Sequence, residues 1–141
     1  MTEIRTKAPG YDAGIDEPLI RLVVTSFYDR VRADDFLGSI FTAAIKDWVA
    51  HINILTRFWS SIILMDRSYH GTPLQAHLAL PKLEPAHFKH WLALFEATLI
   101  EHCTAEQADV FRIRAHRIAQ SFQYSIAQQH GILPLENSIN S

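Results

Sequence analysis

Apolar residues along this chain recur every three or four positions, so the elements it predicts are helices. Leu19, Leu22, Val23, Phe27 and Val31 form the first stripe, with Tyr28 on its edge. That helix is expected to open at Asp16 or Glu17, with Pro18 in the first turn, where a missing N–H costs nothing. Asp34 to Ser39 turns the chain, and Ile40 and Phe41 return apolar side chains to the core. A second helix is predicted over 47–64. Trp48, Ile52, Leu55, Trp59 and Ile62 make one stripe on it; His51, Leu55, Phe58 and Ile62 make an adjacent one. This apolar sector is wider than one helical neighbour needs, so the helix is expected to face two different surroundings.

Residues 66–72 break the pattern, and Pro73 to Leu80 leaves room for a short helix before Pro81 stops it. A third long helix begins near Glu84-Pro85, presents Phe88, Trp91, Leu92, Phe95 and Leu99, and ends near Cys103. Thr104-Ala105-Glu106-Gln107 has the spacing of a capping box. The fourth helix follows, with Ala108, Phe111, Ala115, Ile118, Phe122 and Ile126 on one face and Gly131 as a stop signal. No strand alternation competes with these patterns. The class is all-α, with four long helices and one short, proline-bounded helix. Residues 1–15 show no periodicity and read as a mobile arm, residues 16–131 as one domain and residues 132–141 as a loose tail.

The length of 141 residues suits a single domain, and 48% hydrophobic with 20% charged residues is ordinary globular composition. A formal charge of −2 gives no global attraction to nucleic acid or to an anionic membrane. No apolar run approaches a spanning helix, and Met1 to Arg5 lacks the apolar core of a signal peptide, so a cytoplasmic location is expected. Cys103 is the only cysteine, which excludes an intrachain disulfide and a thiolate zinc site. Serines are present, but none stands in a strand–turn–helix elbow, and there is no glycine-rich phosphate loop. Glu84-Pro85-Ala86-His87 supplies the Glu-x-x-His spacing of a di-iron bundle only once. His87 and His90 read as solvated histidines. Arg112, Arg114, His116 and Arg117 read as a solvated basic face.

What remains is a set: His77 in the short helix, His51 and Leu55 on the second helix, Phe27-Tyr28 on the first and Trp91 on the third. Taken singly, each has an ordinary core or surface reading. Grouped, they supply what a haem slot requires: an imidazole for iron, apolar walls, and hydrogen-bond donors opposite it.

At these residues the sequence resembles the group III truncated haemoglobins, a bacterial branch of the globins. The resemblance covers about Pro18 to Gly131. It rests on Phe27-Tyr28-x-x-Val31-Arg32, Leu37-Gly38-x-Ile40-Phe41, Trp48-x-x-His51, Phe58-Trp59, Gly71-x-Pro73-Leu74-x-x-His77-Leu78 and Phe88-x-x-Trp91-Leu92-x-Leu94-Phe95. It implies a two-over-two helical sandwich around haem b. It further implies that His77 is the proximal iron ligand, and that Tyr28, Trp91 and His51 form the distal ligand-binding set. By the same resemblance Leu55 is expected to line the distal wall, Phe27 and Phe41 to pack on the porphyrin or support Tyr28, and Phe58 and Leu80 to complete the cofactor-binding residues. Truncated globins often carry Lys or Arg, as a haem-propionate partner, where this chain has Ile54. Arg57, Arg67, Tyr69, His70 and Lys82 are the substitutes, with none ranked above another.

The function this implies is binding of dioxygen, carbon monoxide or nitric oxide, in oxygen or nitric oxide handling, with an electron-donating reductase as a candidate partner. Two further readings stand beside it. One is a haem enzyme that reduces peroxide or dioxygenates nitric oxide, with His51 as its acid–base group. The other is a haem-free helical binding module whose aromatic surplus is core.

Overall fold

The computed structural model describes residues 9–67 and 83–129, and every described element is helical. The elements are α1 (Pro9–Ala13), α2 (Glu17–Ala33), α3 (Gly38–Ala44), α4 (Trp48–Ile63), α5 (Pro85–His102) and α6 (Ala105–Gln129). The expected short helix around His77 lies outside the described residues, as do Gly131 and the tail.

The long helices start where the local chemistry demands. The Asp16 carboxylate accepts the Leu19 N–H at 3.0 Å, with Pro18 in the first turn of α2. Asp47 does the same for α4, accepting the Ala50 N–H at 3.1 Å. Before α6, Thr104 Oγ1 accepts the Gln107 N–H at 3.2 Å and Gln107 Oε1 accepts the Thr104 N–H at 3.0 Å. That reciprocal pair is the expected capping box, closed.

α2 packs against both α4 and α5, and α5 packs against α6. The result is a pair of helices laid over a pair, with Phe27, Val23, Leu99 and Phe111 at the centre. Each packed pair carries a polar strut at its rim. Arg21 Nη1 donates to Asn53 Oδ1 at 2.8 Å between α2 and α4. Arg30 donates to the buried Thr98 hydroxyl at 3.1 Å and pairs with Glu101 at 2.9 Å between α2 and α5. Arg112 grips Glu96 with two bonds, at 2.6 and 2.7 Å, between α5 and α6. Arg112 is therefore a structural clamp rather than part of a merely solvated basic face.

Three sequence expectations need correction. The aperiodic arm is helical over Pro9–Ala13, and this helix lies against α6. Gly10 is buried: a Cβ there would stand 2.4 Å from Ile63 Cγ2, so glycine is what lets α1 sit on the end of α4. Ile15 is buried just beyond it. The turn after α2 also contains a helix, α3, too short to declare itself by periodicity. Finally, Leu22 is 44% exposed, whereas Ile20 and Val24 are buried. The buried sector of α2 is rotated toward Ile20 and Val24 because it must serve α4 and α5 at once.

α4 ends in a turn through Met65 and Arg67, both at positive φ (57° and 60°) without being glycine. Such residues store about 1 kcal/mol or more each. The Ser60 hydroxyl donates to Asp66 between them. This anchored turn sets the direction in which the chain leaves α4.

Candidate functional site

The site is built where α2, α4 and α5 meet. Phe27 and Tyr28 are adjacent on α2 and both buried, because this helix is covered on two sides. Phe27 points toward α5, edge-on to Trp91 at 5.3 Å and to Phe95 at 5.0 Å. Tyr28 points toward α4. Its ring meets His51 edge-on at 5.3 Å and lies 5.9 Å from Trp48 and 6.3 Å from Phe41. Phe27 braces it from behind at 4.7 Å. These edge-to-face contacts fix the ring and so aim its hydroxyl.

Two apolar clefts adjoin this corner. One is lined by Leu37, Phe41, Leu83, His87, Phe88, Trp91 and Phe122. The other is lined by Tyr28, Leu55, Phe58, Trp59, Trp91, Ile118 and Phe122. Trp91 and Phe122 belong to both, so the clefts share a wall. The wide apolar sector of α4 has its explanation here: Trp59 and Ile63 are buried in the core, while Leu55 and Phe58 give onto the second cleft.

The polar groups of the site are few and specific. Tyr28 is 3% exposed. Burial pushes its phenol well above the ordinary tyrosine range, and the Trp91 indole, hydrogen-bonded to it, pulls weakly the other way. An indole nitrogen can only donate, so in this interaction Trp91 Nε1–H is the donor and the Tyr28 oxygen the acceptor. The tyrosine therefore stays neutral and retains its own O–H for a further acceptor. His51 Nε2 is also buried, beside Tyr28 and beneath Trp48.

The structure thus brings together seven residues singled out from the sequence. Tyr28, His51 and Trp91 converge, Phe41, Leu55 and Phe58 line the clefts or face Tyr28, and Phe27 lies behind Tyr28 rather than on a cleft wall. His77 and Leu80 lie outside the described residues, as do Tyr69, His70 and Lys82. Ile54 is 41% exposed, and Arg57 and Arg67 are exposed. Among the described residues no group of three or more metal-ligating side chains gathers.

Sequence reasoning did not assign Trp48, Leu37, Leu83 or His87 to the site. Trp48 was legible as an apolar stripe residue, but its contact with Tyr28 depends on how α2 crosses α4. His87 and His90, expected to be solvated, are partly exposed but also partnered. His87 stacks flat on Phe36 at 4.6 Å, and its Nδ1 accepts the Glu84 N–H at 2.9 Å. His90 Nε2 bonds Asp34 Oδ1 at 2.7 Å.

Two helix pairs around an apolar slot, with a phenol, an indole and an imidazole at one corner, define a globin-type sandwich. No protein-family model matches the chain. It is 35% identical over 121 residues to the group 3 truncated hemoglobin ctb of Campylobacter jejuni, an alignment covering 83% of this chain and 95% of that protein. The crystal structure of the group III truncated hemoglobin from Campylobacter jejuni matches it with a TM-score of 0.74 at 36% identity, covering 79% of this chain and 91% of that one. The chain belongs to the group III truncated haemoglobin family, and its fold is the two-over-two globin sandwich. Among the described residues no helix is long and apolar enough to cross a membrane.

Proposed function

We propose that this chain is a haem b protein that binds dioxygen and other diatomic gases through a distal set of Tyr28, Trp91 and His51, with His77 as the iron ligand. The observation that carries the reading is the Tyr28 hydroxyl: buried, neutral, loaded by Trp91 and left with one proton to donate beside an apolar slot. A buried hydroxyl with no task is costly, whereas one aimed at a polar diatomic ligand is useful.

The residues present suit the group. The two adjoining clefts carry flat aromatic and aliphatic walls, as a planar macrocycle needs. Phe41, Leu37, Leu83 and Phe88 would hold its edge on one side, and Leu55, Phe58 and Phe122 would exclude water on the other. When bound, ferrous haem supplies a site for reversible coordination of dioxygen, carbon monoxide or nitric oxide. The protein supplies the rest. Tyr28 would present its O–H as a donor to a polar diatomic ligand in this pocket. Trp91 holds the tyrosine oxygen and so orients its proton. His51 bounds the same space with a second titratable ring.

A haem titration tests the proposal. Uptake of one haem per chain, followed on reduction and carbon monoxide addition by a histidine-ligated ferrous carbonyl spectrum, is the expected result. A folded chain that takes up no haem overturns it. Sustained turnover of peroxide or nitric oxide with a reductant would instead favour the enzymatic alternative.

A further inference from the structure

Resting on that reading, we infer that Arg32 and Trp48 form a latch that holds His51 over Tyr28 and sets how fast ligands reach the pocket. Tyr28 and Arg32 lie one turn apart on α2, and His51 and Trp48 lie one turn apart on α4. The four side chains make two rungs between the helices. The inner rung is Tyr28 against His51, at 5.3 Å. The outer rung is the Arg32 guanidinium over the Trp48 ring, with its central carbon 4.6 Å from the ring centroid. Trp48 joins the rungs, touching His51 edge-on at 5.8 Å and Tyr28 at 5.9 Å.

The exposures run in the same order. Arg32 is exposed, Trp48 is half-buried, and Tyr28 and His51 Nε2 are buried. Trp48 is thus the wall between solvent and the distal pair on this side. Its backbone is fixed in the first turn of α4 by the Asp47 cap, so only rotation of its side chain moves the indole aside. Arg32 opposes that rotation by cation–π attraction to the outer face of the ring. Arg32 itself sits in the last turn of α2, where a cation suits the helix dipole. Arg32 and Trp48 are positioning residues: they act through His51 and Tyr28 and need not touch the gas.

The test uses Arg32→Gln, Arg32→Lys and Trp48→Ala in the haem-loaded protein. Carbon monoxide association after flash photolysis should quicken about two- to fivefold in Arg32→Gln, the equivalent of one exposed cation–π contact. It should quicken more in Trp48→Ala and stay near the parent rate in Arg32→Lys. Dioxygen release, governed by the Tyr28 donor, should change little in Arg32→Gln. The second readout is acylation of His51 by diethyl pyrocarbonate, mapped by peptide mass, which should rise in parallel with the association rate. Arg32 is exposed, so Arg32→Gln keeps the fold even if Trp48→Ala does not. Unchanged association and unchanged His51 labelling in Arg32→Gln would overturn the latch while leaving haem binding intact. If the chain takes up no haem, the haem reading falls, and His51 labelling of the haem-free chain still decides whether the latch exists.

Discussion

Replacing Tyr28 by Phe removes a single oxygen from the site. The ring keeps its contacts with Phe27, His51, Trp48 and Phe41, so almost no cavity opens. What is lost is the buried O–H. A hydrogen bond to a partly charged acceptor contributes about 1.5–3 kcal/mol, and about 1.4 kcal/mol corresponds to a tenfold change in rate. Dioxygen release from the haem-loaded variant should therefore accelerate by about ten- to a hundredfold, read by stopped-flow displacement with carbon monoxide. The Trp91 N–H limits the loss, because without the tyrosine oxygen it becomes available to the ligand. Trp91→Phe alone should have a smaller effect than Tyr28→Phe, since it removes the group that orients the tyrosine and not the donor itself. The double variant should release dioxygen faster than either single one, and the cycle should be non-additive, as the two groups share one hydrogen bond. Release of dioxygen at the parent rate by Tyr28→Phe, together with fast release by Trp91→Phe, would refute the donor role of Tyr28. The indole would then be the donor and the tyrosine a bystander.

Three other perturbations test different parts of the reading. His77→Gly should abolish the histidine-ligated ferrous spectrum, and added imidazole should restore it; an unchanged spectrum would send the ligand search elsewhere. Gly38→Ala would place a Cβ 2.8 Å from the Arg32 carbonyl oxygen and 3.2 Å from that of Val31, both backbone atoms that cannot step aside. A loss of about 1–3 kcal/mol in urea unfolding is expected. The Asp34 carboxyl is held below its ordinary pKa, chiefly by the hydrogen bond from His90, with burial opposing and the Leu37 and Phe36 N–H groups assisting. Its contribution is complete above the unfolded value, about 3.9, and is lost as pH falls through the lower folded value. Asp34→Asn should accordingly be less stable than the parent at neutral pH and show a flatter stability profile below about pH 4. Parallel acid profiles would refute this.

Much of the site was legible as residue types but not as geometry. The pairing of Tyr28, His51 and Trp91 followed from a family resemblance; their periodicity alone reads equally well as core. The chain places Tyr28 and Trp91 far apart, and nothing in either helix states that an indole N–H will face a phenol on another. The same holds for Arg32 over Trp48 and for His90 on Asp34. Each joins residues from helices whose crossing must exist before the contact does. His87 and His90 read as solvated because their partners, Phe36 and Asp34, lie in a turn whose path the sequence does not reveal.

The amino-acid order by itself determined what is decided within a few residues: where the long helices begin, through Asp16, Asp47 and the Thr104–Gln107 box, and which broad face of each is apolar. Hydrogen bonds to N-terminal amides and the helical period act locally, so they can be read locally. Tertiary structure decided the rest. It formed α1 and α3, elements too short to be stable alone, by packing Gly10 on Ile63 and Phe41 into the core. It turned the buried face of α2 toward Ile20 and Val24, because two helices cover it rather than one. And it withdrew the Tyr28 side chain from water and set it against His51, Trp48 and Trp91, residues of two other helices.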